Sequence, residues 1–386
     1  MNPPRVLHVV DTLSPGGTER MAVELANLTD PTRYESGVCA TRAGGALASS
    51  LDPRVGLAEL ERRGRWDWGG LKRFGHLVRE RSIAVVHSHG RGSMKFAATA
   101  RIALGLRYAH VFHDHYGLVE GVPSPGIGDQ LCAKVGFDAY VGVHQGLCEW
   151  AVRRLRLRPD RVHLVRNGVD VARFVGRRRS PLRRELGWAE DVVVLVMTAN
   201  FRPQKDHLSA LAALSRCPER DRLRLLLLGQ ESPAHEAYKR SCDEFVREAG
   251  LGGNVVTAGV RSDVPEILAA CDAGLLSSRS ESGPLALLEY LAAGLPYVVT
   301  DTGEITRAVR GTDTGFIVPV GDVDAMAAAM AALARTSPDD RREMGERGRR
   351  LVAREFDQRS TVEKVMDVYD AVLGNAASPR RGSDSS

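Results

Sequence analysis

The chain of 386 residues has few aromatic side chains and no long apolar run. Phe, Trp and Tyr together make up 5% of the residues, too few for the stacking platforms that bind single-stranded nucleic acid. No apolar stretch approaches the roughly 18–20 residues of a membrane-spanning helix. The first apolar run, Val6–Val10, is far too short for a secretion signal. We therefore expect a cytoplasmic protein without a nucleic-acid partner.

Several chemical signatures are also missing. The six cysteines form no C-x-x-C pair, so we expect reduced thiols. The absence of G-x-G-x-x-G and of a P-loop argues against a dehydrogenase or a kinase. No Asp-x-Asp motif lies in a metal-binding setting, so no metal and no other cofactor is expected. The net charge of +5 is a mild excess that does not indicate nucleic acid.

Short β-branched runs alternate with helical stretches in two series. Short apolar strands separated by helices indicate parallel sheets covered on both faces, and two series indicate two domains. The fold class predicted is α/β, with two Rossmann-like, doubly wound parallel sheets. Ligands bind beyond the carboxyl ends of such strands. The expected strands are Val6–Val10, Ile83–His87, Ala109–His113, Ala139–Val143 and Arg161–Val165, then Val192–Thr198, Leu223–Leu228, Val255–Ala258, Ala273–Leu276, Tyr297–Thr300 and Gly315–Pro319.

The domain boundary is expected in a linker near Phe174–Pro181, after the turn signal Asn167-Gly168. We predict an N-terminal domain over residues 1–175 and a C-terminal domain over 182–360. A helix over 361–373 is expected to pack back on the N-terminal domain. The tail over 374–386, rich in Ser, Arg and Gly, is expected to be disordered.

Two motifs carry groups that suit a phosphate. Gly16 and Gly17 lie between the first strand and a helix, where the backbone can approach a ligand and helix N–H groups are free; a plain strand–helix turn is the alternative. Arg202 and Lys205 follow the strand Val192–Thr198 and could converge on one phosphate pair. A solvated basic turn is the alternative for this second motif.

Two His-x-His pairs end consecutive strands, at His87 and His89 and at His113 and His115. Alternate residues of a strand point to one face, so a metal site is conceivable. The only nearby carboxylate, Asp114, would face the opposite way. We therefore favour hydrogen bonding of one or two of these histidines to a polar ligand, with ordinary loop histidines as the alternative.

The segment Ser280–Tyr290 places Glu281 before a helix and Glu289 in its second turn. Pro284 suits the first helical position, and Ser282 or Gly283 suits the cap. Free N–H groups at this helix start would face an anion, and a carboxylate accepts hydrogen bonds from paired sugar hydroxyls. Two surface glutamates around an amphipathic helix are the alternative.

This segment resembles the E-x7-E signature of retaining GT-B glycosyltransferases, specifically glycosyltransferase family 4. GT-B denotes two Rossmann-like domains facing across a cleft. The resemblance covers about residues 5 to 372. Further matching segments are Arg166–Asp170, Arg202–Lys205, Arg261–Asp272, Ala292–Val299 and Gly315–Asp322. One departure is Asp301–Glu304, which has a single glycine where the family usually has two; we expect this loop to lie away from the donor pocket.

The resemblance implies roles for individual residues. The first domain would bind the acceptor and the second a nucleotide-sugar donor. Catalytic roles would fall to His113, which contacts the transferred sugar, to Arg202 and Lys205, which neutralise the diphosphate, and to Glu281, which holds sugar hydroxyls. Glu289 would bind the ribose. The other donor-binding residues implied are Gly16, Gly17, Arg261, Gly283, Pro284 and Leu285, with a looser base site at Leu228-Gly229-Gln230 and Val260-Arg261.

The implied reaction is metal-independent retaining transfer of a hexose or related sugar to a hydroxyl acceptor. That acceptor could be a glycan, a lipid-linked saccharide or a small-molecule glycoconjugate. A nucleotide-sugar 2-epimerase and a binding protein without turnover are the alternatives. The Arg-rich stretches Arg153–Arg161 and Arg177–Arg184 could hold the protein peripherally on an anionic membrane, or form a solvated surface. The sequence names neither the base, the sugar nor the acceptor.

Overall fold

The structure, a computed structural model, describes residues 3–64, 67–115, 125–177, 181–231 and 233–377. The chain divides into two units. Unit 1 comprises Met1–Asn167 and Arg359–Ser386, and unit 2 comprises Gly168–Gln358. The chain therefore leaves unit 1 once, forms unit 2 from a continuous segment, and returns to unit 1 for its last helix.

Unit 1 is built on a sheet of seven parallel strands. In chain order the strands are β1 (Arg5–Thr12), β2 (Glu35–Ala43), β3 (Gly56–Glu59), β4 (Ile83–His89), β5 (Ala109–Asp114), β6 (Ala139–Gly142) and β7 (Val162–Leu164). The helices of this unit are α1 (Gly17–Leu28), α2 (Trp68–Glu80), α3 (Arg91–Ala103), α4 (Ile127–Leu131), α5 (Gln145–Arg154) and, at the end of the chain, α14 (Gln358–Ala377).

Unit 2 repeats this architecture on a sheet of six parallel strands. The strands are β8 (Val193–Thr198), β9 (Leu223–Leu228), β10 (Val255–Gly259), β11 (Ala273–Leu276), β12 (Tyr297–Thr300) and β13 (Phe316–Val318). The helices are α6 (Leu182–Glu185), α7 (His207–Arg216), α8 (Glu236–Glu248), α9 (Val264–Ala270), α10 (Leu285–Ala293), α11 (Gly303–Val309), α12 (Val323–Arg335) and α13 (Pro338–Glu355).

Both sheets reverse their strand order at one point. The order is β3-β2-β1-β4-β5-β6-β7 in unit 1 and β10-β9-β8-β11-β12-β13 in unit 2. The reversal lies between β1 and β4 in the first sheet and between β8 and β11 in the second. In doubly wound sheets the loops beyond the carboxyl ends at this switch point form the ligand crevice. The prediction of two doubly wound parallel sheets is confirmed.

The apolar runs form strands because both faces of each sheet are covered. In β8, Val193, Leu195 and Met197 pack into one core cluster, whereas Val194 and Val196 pack into the cluster on the opposite face. A strand buried on both sides needs apolar residues at every position, which explains its continuous rather than alternating pattern.

Some predicted boundaries differ from the structure. Two strands of the first sheet were not predicted: β3, which lies at its edge, and β2, which lies next to β3. Unit 2 begins at Gly168, before the expected linker, because Val169 and Phe174 are buried in its core. Helix α14 runs to Ala377, past the predicted end at 373. The rest of the predicted disordered tail, from 378, lies outside the described residues.

No helix in the part of the chain that the structure describes combines the length and apolar character that crossing a membrane requires.

Candidate functional site

The centre of the candidate site in unit 2 is a charge pair between the loops that follow β8 and β11. Lys205 Nζ donates to Glu281 Oε1 at 2.5 Å, and Ser278 Oγ donates to the same oxygen at 2.6 Å. The Glu281 side chain is 8% exposed and that of Lys205 is 26% exposed. These two loops flank the switch point of the second sheet, so the pair lies where this fold binds ligands.

Hydrogen bonds to the backbone hold the two loops together. Ser277 Oγ donates to the carbonyl oxygens of Lys205 at 3.0 Å and Asp206 at 2.8 Å. Gln204 Nε2 donates to the carbonyl of Ser280 at 3.0 Å. Lys205 ends a short 3₁₀ turn, Pro203–Lys205, and the following Asp206 has a φ of 50°. Asp tolerates this left-handed conformation better than most residues. Asp206 is also the N-cap residue of α7, which begins at His207.

Arg202 is exposed at the start of the same turn. Sequence reasoning gave Arg202 and Lys205 one joint task and gave Glu281 a separate one. The structure instead joins Lys205 to Glu281, which balances the lysine charge. The pair was missed because its members lie 76 positions apart, although Ser278 and Glu281 are close enough in sequence to be suspected of contact.

Helix α10 begins differently from the prediction. Pro284, at φ −65° and ψ 108°, occupies the N-cap, and Leu285 is the first helical residue. Proline has no backbone N–H, so Pro284 cannot supply one of the free N–H groups expected at this helix start. Its carbonyl accepts a hydrogen bond from Leu287 N. Glu289 lies in the second turn as predicted, and its side chain is buried at 3% exposure.

The single glycine of the loop after β12 adjoins the site. Gly303 has a φ of +77°, and a Cβ at this position would lie 3.0 Å from the carbonyl oxygen of Glu281. The loop therefore touches the backbone of the Glu281 segment, and the expectation that it lies away from the donor pocket is wrong. One glycine is sufficient here because position 303 combines a positive φ with a close approach to the Glu281 carbonyl, and both favour glycine.

The turns that follow β9 and β10 were expected to bind a base. Gly229 N donates to the carbonyl of Gly259, and Gln230 N donates to Asn200 Oδ1. Arg261 forms two hydrogen bonds of 2.8 Å with the carboxylate of Asp263. This contact raises the pKa of the arginine above its ordinary value. The backbone N–H groups of Gly229 and Gln230 and two N–H groups of Arg261 thus form hydrogen bonds within the protein.

In unit 1, Gly16 and Gly17 lie at the start of α1, directly after β1. Gly16 is the N-cap residue with extended backbone, and Gly17 is the first helical residue. A Cβ on Gly16 would lie 2.3 Å from Glu19 Oε2, so a larger residue here would require the end of the Glu19 side chain to move. The predicted open approach to the helix start is compatible with this geometry.

His113 is the second-last residue of β5 and is buried, at 1% exposure. Neither of its ring nitrogens has a hydrogen-bond partner among the described residues. Burial is the main cause that lowers the pKa of His113 well below its ordinary value, so the ring is neutral. A neutral imidazole can donate one hydrogen bond and accept another. The neighbouring Asp114 accepts a hydrogen bond from Tyr140 Oη at 3.0 Å.

Two family descriptions match consecutive parts of the chain. Residues 15–173 match "Glycosyltransferase Family 4", and residues 178–351 match "Glycosyl transferases group 1". Together they span most of both units and include all the site residues described above. The chain belongs to the GT-B glycosyltransferases of family 4.

Curated relatives agree with this assignment. The D-inositol 3-phosphate glycosyltransferase of Saccharomonospora viridis is 32% identical over 302 residues, which span 74% of this chain and 69% of the relative. The N-acetyl-alpha-D-glucosaminyl L-malate synthase of Bacillus anthracis is 29% identical over 55% of this chain. The chain spans about half the length of that synthase, 54%, and of the putative glycosyltransferase EpsD of Bacillus subtilis, 55%.

Solved structures share the fold at low sequence identity. HepE of Anabaena, crystallised with UDP and glucose, superposes with a TM-score of 0.81 at 18% identity, covering 95% of this chain and 100% of that one. WaaG, a glycosyltransferase involved in lipopolysaccharide biosynthesis, has a TM-score of 0.73 at 16% identity, covering 94% of this chain and 99% of that one.

Proposed function

We propose that the protein is a retaining glycosyltransferase that moves a hexose or related sugar from a nucleoside-diphosphate sugar to a hydroxyl acceptor. The observation that carries this proposal is the contact between Lys205 and Glu281 at the switch point of unit 2. In this proposal the cation would serve a phosphate of the donor and the carboxylate would serve hydroxyls of its sugar. Membership of family 4 supports the same reaction.

Donor binding would exchange the internal pair for contacts with the substrate. Lys205 would turn to the diphosphate, and Glu281 would accept hydrogen bonds from sugar hydroxyls. The pair keeps each charge from being buried alone before the donor arrives, when an unpaired buried charge would be costly. Arg202, which is exposed, would add a second cation to the diphosphate.

The transfer step would develop positive charge at the anomeric carbon and negative charge on the leaving diphosphate. Preplaced cations and backbone dipoles lower this barrier most when they face the developing charge. Arg202, Lys205 and the N-terminus of α10 supply such groups in unit 2, which supports a reaction without a metal at the diphosphate. His113, as a neutral imidazole, would hold the transferred sugar by hydrogen bonds.

The proposal is tested first by donor binding. A thermal-shift screen of UDP, GDP, TDP and ADP sugars should show one base standing out, because a ligand at 100 times its Kd adds about 2.7 kcal/mol of stability. UDP-glucose comes first in the screen, because HepE has been crystallised with it. If no nucleotide sugar or nucleoside diphosphate shifts the melting temperature, the donor site is not where we place it.

Turnover then separates this function from its rivals. Relatives named for L-malate and for D-inositol 3-phosphate place small anionic hydroxyl compounds in the acceptor panel. Product that forms only with an acceptor supports transfer. Conversion of the nucleotide sugar without an acceptor would indicate an epimerase, and binding without any turnover would indicate a binding protein.

Metal independence has its own test. Activity should persist in EDTA, and NMR of the product should show the anomeric configuration of the donor. Activity that is lost in EDTA and restored by Mg²⁺ would overturn the metal-free mechanism. An inverted product would overturn retention while leaving transfer intact.

We further propose that the protein is cytoplasmic and contacts the surface of an anionic membrane. The two Arg-rich stretches are partly engaged within the protein: Arg161 Nε donates to the carbonyl of Asp138, and Arg183 contacts Asp272 at 3.2 Å. Residues 178–180 lie outside the described residues. The exposed arginines, Arg158 among them, would carry the attraction. Flotation with anionic vesicles should show binding that salt abolishes, and no binding at low salt would remove this part.

A further inference from the structure

Four buried imidazoles and one half-buried imidazole lie close together on one side of the sheet of unit 1. They are the histidine cluster, which consists of His8, His87, His89, His113 and His115. The strand register places His8 of β1 opposite His87 of β4, and His89 opposite His113 of β5. Neighbouring ring centroids are 4.2 to 5.5 Å apart. Sequence reasoning found the two His-x-His pairs but missed His8, a single histidine within an apolar strand.

The hydrogen-bonding needs of these rings are only partly met. His8 Nδ1 lies 3.1 Å from His89 Nε2, and His89 Nδ1 lies 3.2 Å from His115 Nε2. His87 Nδ1 lies 2.6 Å from Tyr369 Oη of α14. Four buried nitrogens have no partner among the described residues: His8 Nε2, His87 Nε2 and both nitrogens of His113. Buried polar atoms are nearly always paired, so the unpartnered Nε2 of His87 is available to bind a ligand.

Three of the rings have the arrangement of a metal site. His8, His87 and His89 each offer one nitrogen, and these three atoms lie within 4.8 Å of one another. Nitrogens bound at 2.0–2.1 Å to one tetrahedral ion are roughly 3.3–3.4 Å apart. The 3.1 Å between His8 Nδ1 and His89 Nε2 is therefore close to the spacing of two ligands on one ion.

We propose that His8, His87 and His89 bind a divalent transition-metal ion, of which Zn²⁺ is the first to test. All three rings are buried, at 0 to 3% exposure, and sit on strands rather than loops. Their ligand set is all nitrogen, which suits Zn²⁺, Ni²⁺ or Cu²⁺ and disfavours Mg²⁺ and Ca²⁺. Three protein ligands leave a fourth position for water or another small ligand.

The surroundings of the triad fit this assignment. A metal-bound histidine usually donates its other N–H to a partner that fixes the ring. His87 Nδ1–H can donate to Tyr369 Oη, which turns the unpartnered Nε2 to the ion, and His89 Nδ1–H can donate to His115 Nε2. These two tautomers leave the lone pairs of His87 Nε2 and His89 Nε2 for the ion. His8 would bind through Nδ1, and its Nε2 has no partner among the described residues.

A second triad, His89, His113 and His115, also lies within 4.8 Å, but it is the weaker candidate. His115 follows the end of β5 instead of sitting on a strand, and it is only half-buried. His113 is the residue that we propose for the transferred sugar. The two triads share His89, and substitutions at His8 and His113 tell them apart.

The experiment is a titration of the full chain with Co²⁺ alone, after treatment with EDTA and desalting. We expect one equivalent to bind with the visible absorption of tetrahedral cobalt, Zn²⁺ to displace it, and Mg²⁺ to leave it unchanged. The His8→Gln variant should lose the signal, and His113→Gln should keep it. The exposed His76 provides a matched control, because His76→Gln should titrate like the wild type.

Tyr369→Phe tests the site with little risk to folding. Loss of the partner of His87 should weaken the affinity about 10- to 100-fold at unchanged stoichiometry, measured by competition with a chromogenic chelator. Circular dichroism and melting curves check that each variant is folded. The proposal is overturned if the wild type shows no saturable binding, or if His113→Gln loses the signal while His8→Gln keeps it. Because the readout is metal binding, failure here leaves the transferase proposal untouched.

Discussion

At the scale of single residues, the contact between Lys205 and Glu281 explains how two opposite charges can be kept together beside the switch point of unit 2. Glu281 accepts from both Lys205 and Ser278 through one oxygen, Oε1. Neither residue is then an isolated buried charge, which would cost several kcal/mol. The same geometry implies that replacing either residue affects both stability and chemistry, so the two effects must be measured separately.

Lys205→Met should lower kcat by on the order of 10²-fold or more, because Lys205 is proposed to stabilise the charge of the leaving diphosphate. Steady-state kinetics with the cognate donor would measure the change, on protein shown to be folded by circular dichroism. Lys364 is an exposed lysine of α14, so Lys364→Met serves as the control and should keep wild-type turnover. Near-normal turnover of Lys205→Met would remove the lysine from the reaction.

Glu289→Ala should mainly weaken the binding of the nucleoside diphosphate, because Glu289 is proposed to accept hydrogen bonds from the ribose hydroxyls. Calorimetric titration with the cognate nucleoside diphosphate measures this directly. Glu244 is an exposed glutamate of α8, and Glu244→Ala should bind like the wild type. Equal affinities for all three proteins would take Glu289 out of the ribose site.

At the scale of elements, the ends of β8 and β9 lie unusually close together. A Cβ on Gly229 would lie 2.0 Å from the carbonyl oxygen of Ala199. The same turn is tied by the bond from Ala199 N to the carbonyl of Leu228. Because the clash involves backbone on both sides, no side-chain rotation can relieve it.

Gly229→Ala should therefore destabilise unit 2 by about 1–3 kcal/mol, the usual cost of forcing extra volume into a packed site. Urea unfolding would measure the change. Gly252 has no atom within 4 Å of the position of its added Cβ, and Gly252→Ala should change the stability by less than about 0.5 kcal/mol. Equal stability of the two variants would contradict the close approach.

The elements also show what the sequence could and could not predict. Apolar runs such as Leu223–Leu228 and Tyr297–Thr300 were predicted with the observed bounds, because a doubly buried strand has an unmistakable composition. Strand β2 was missed because Gly37 and Arg42 interrupt its apolar pattern, and the four-residue β3 was missed because it is short and partly exposed. Likewise, the motifs indicated the loops that follow β8 and β11, but the contact between Lys205 and Glu281 depends on tertiary folding.

At the scale of the whole molecule, buried neutral histidines tie stability to pH in both units. His207 of unit 2 is buried against Phe201, and its Nε2 lies 3.3 Å from the carbonyl oxygen of Ala199. Burial lowers the pKa of His207 from 6.5 to about 4. Between these values the unfolded chain binds a proton that the folded chain does not, so stability is lost as the pH falls from 6.5 towards 4.

The loss attributable to His207 should approach about 1.4 kcal/mol per pH unit within that window. His207→Phe keeps a stacked ring at this position but removes the titrating group. As the pH falls from 7 to about 4.5, the unfolding free energy of the wild type should therefore fall relative to that of the variant. His76→Gln changes an exposed histidine and should run parallel to the wild type. Parallel curves for His207→Phe would contradict the assignment.

The return of the chain to unit 1 through α14 has a consequence for biosynthesis. Tyr369 of α14 meets His87 of β4, and Asp370 meets Tyr34. During translation these partners are separated by the synthesis of all of unit 2, Gly168–Gln358. Unit 2 is continuous and can complete its core as it emerges from the ribosome. Strands β1 to β7 of unit 1 are made long before α14, which contacts the histidine cluster through Tyr369. Unit 1 can therefore finish folding only after unit 2 has been synthesised.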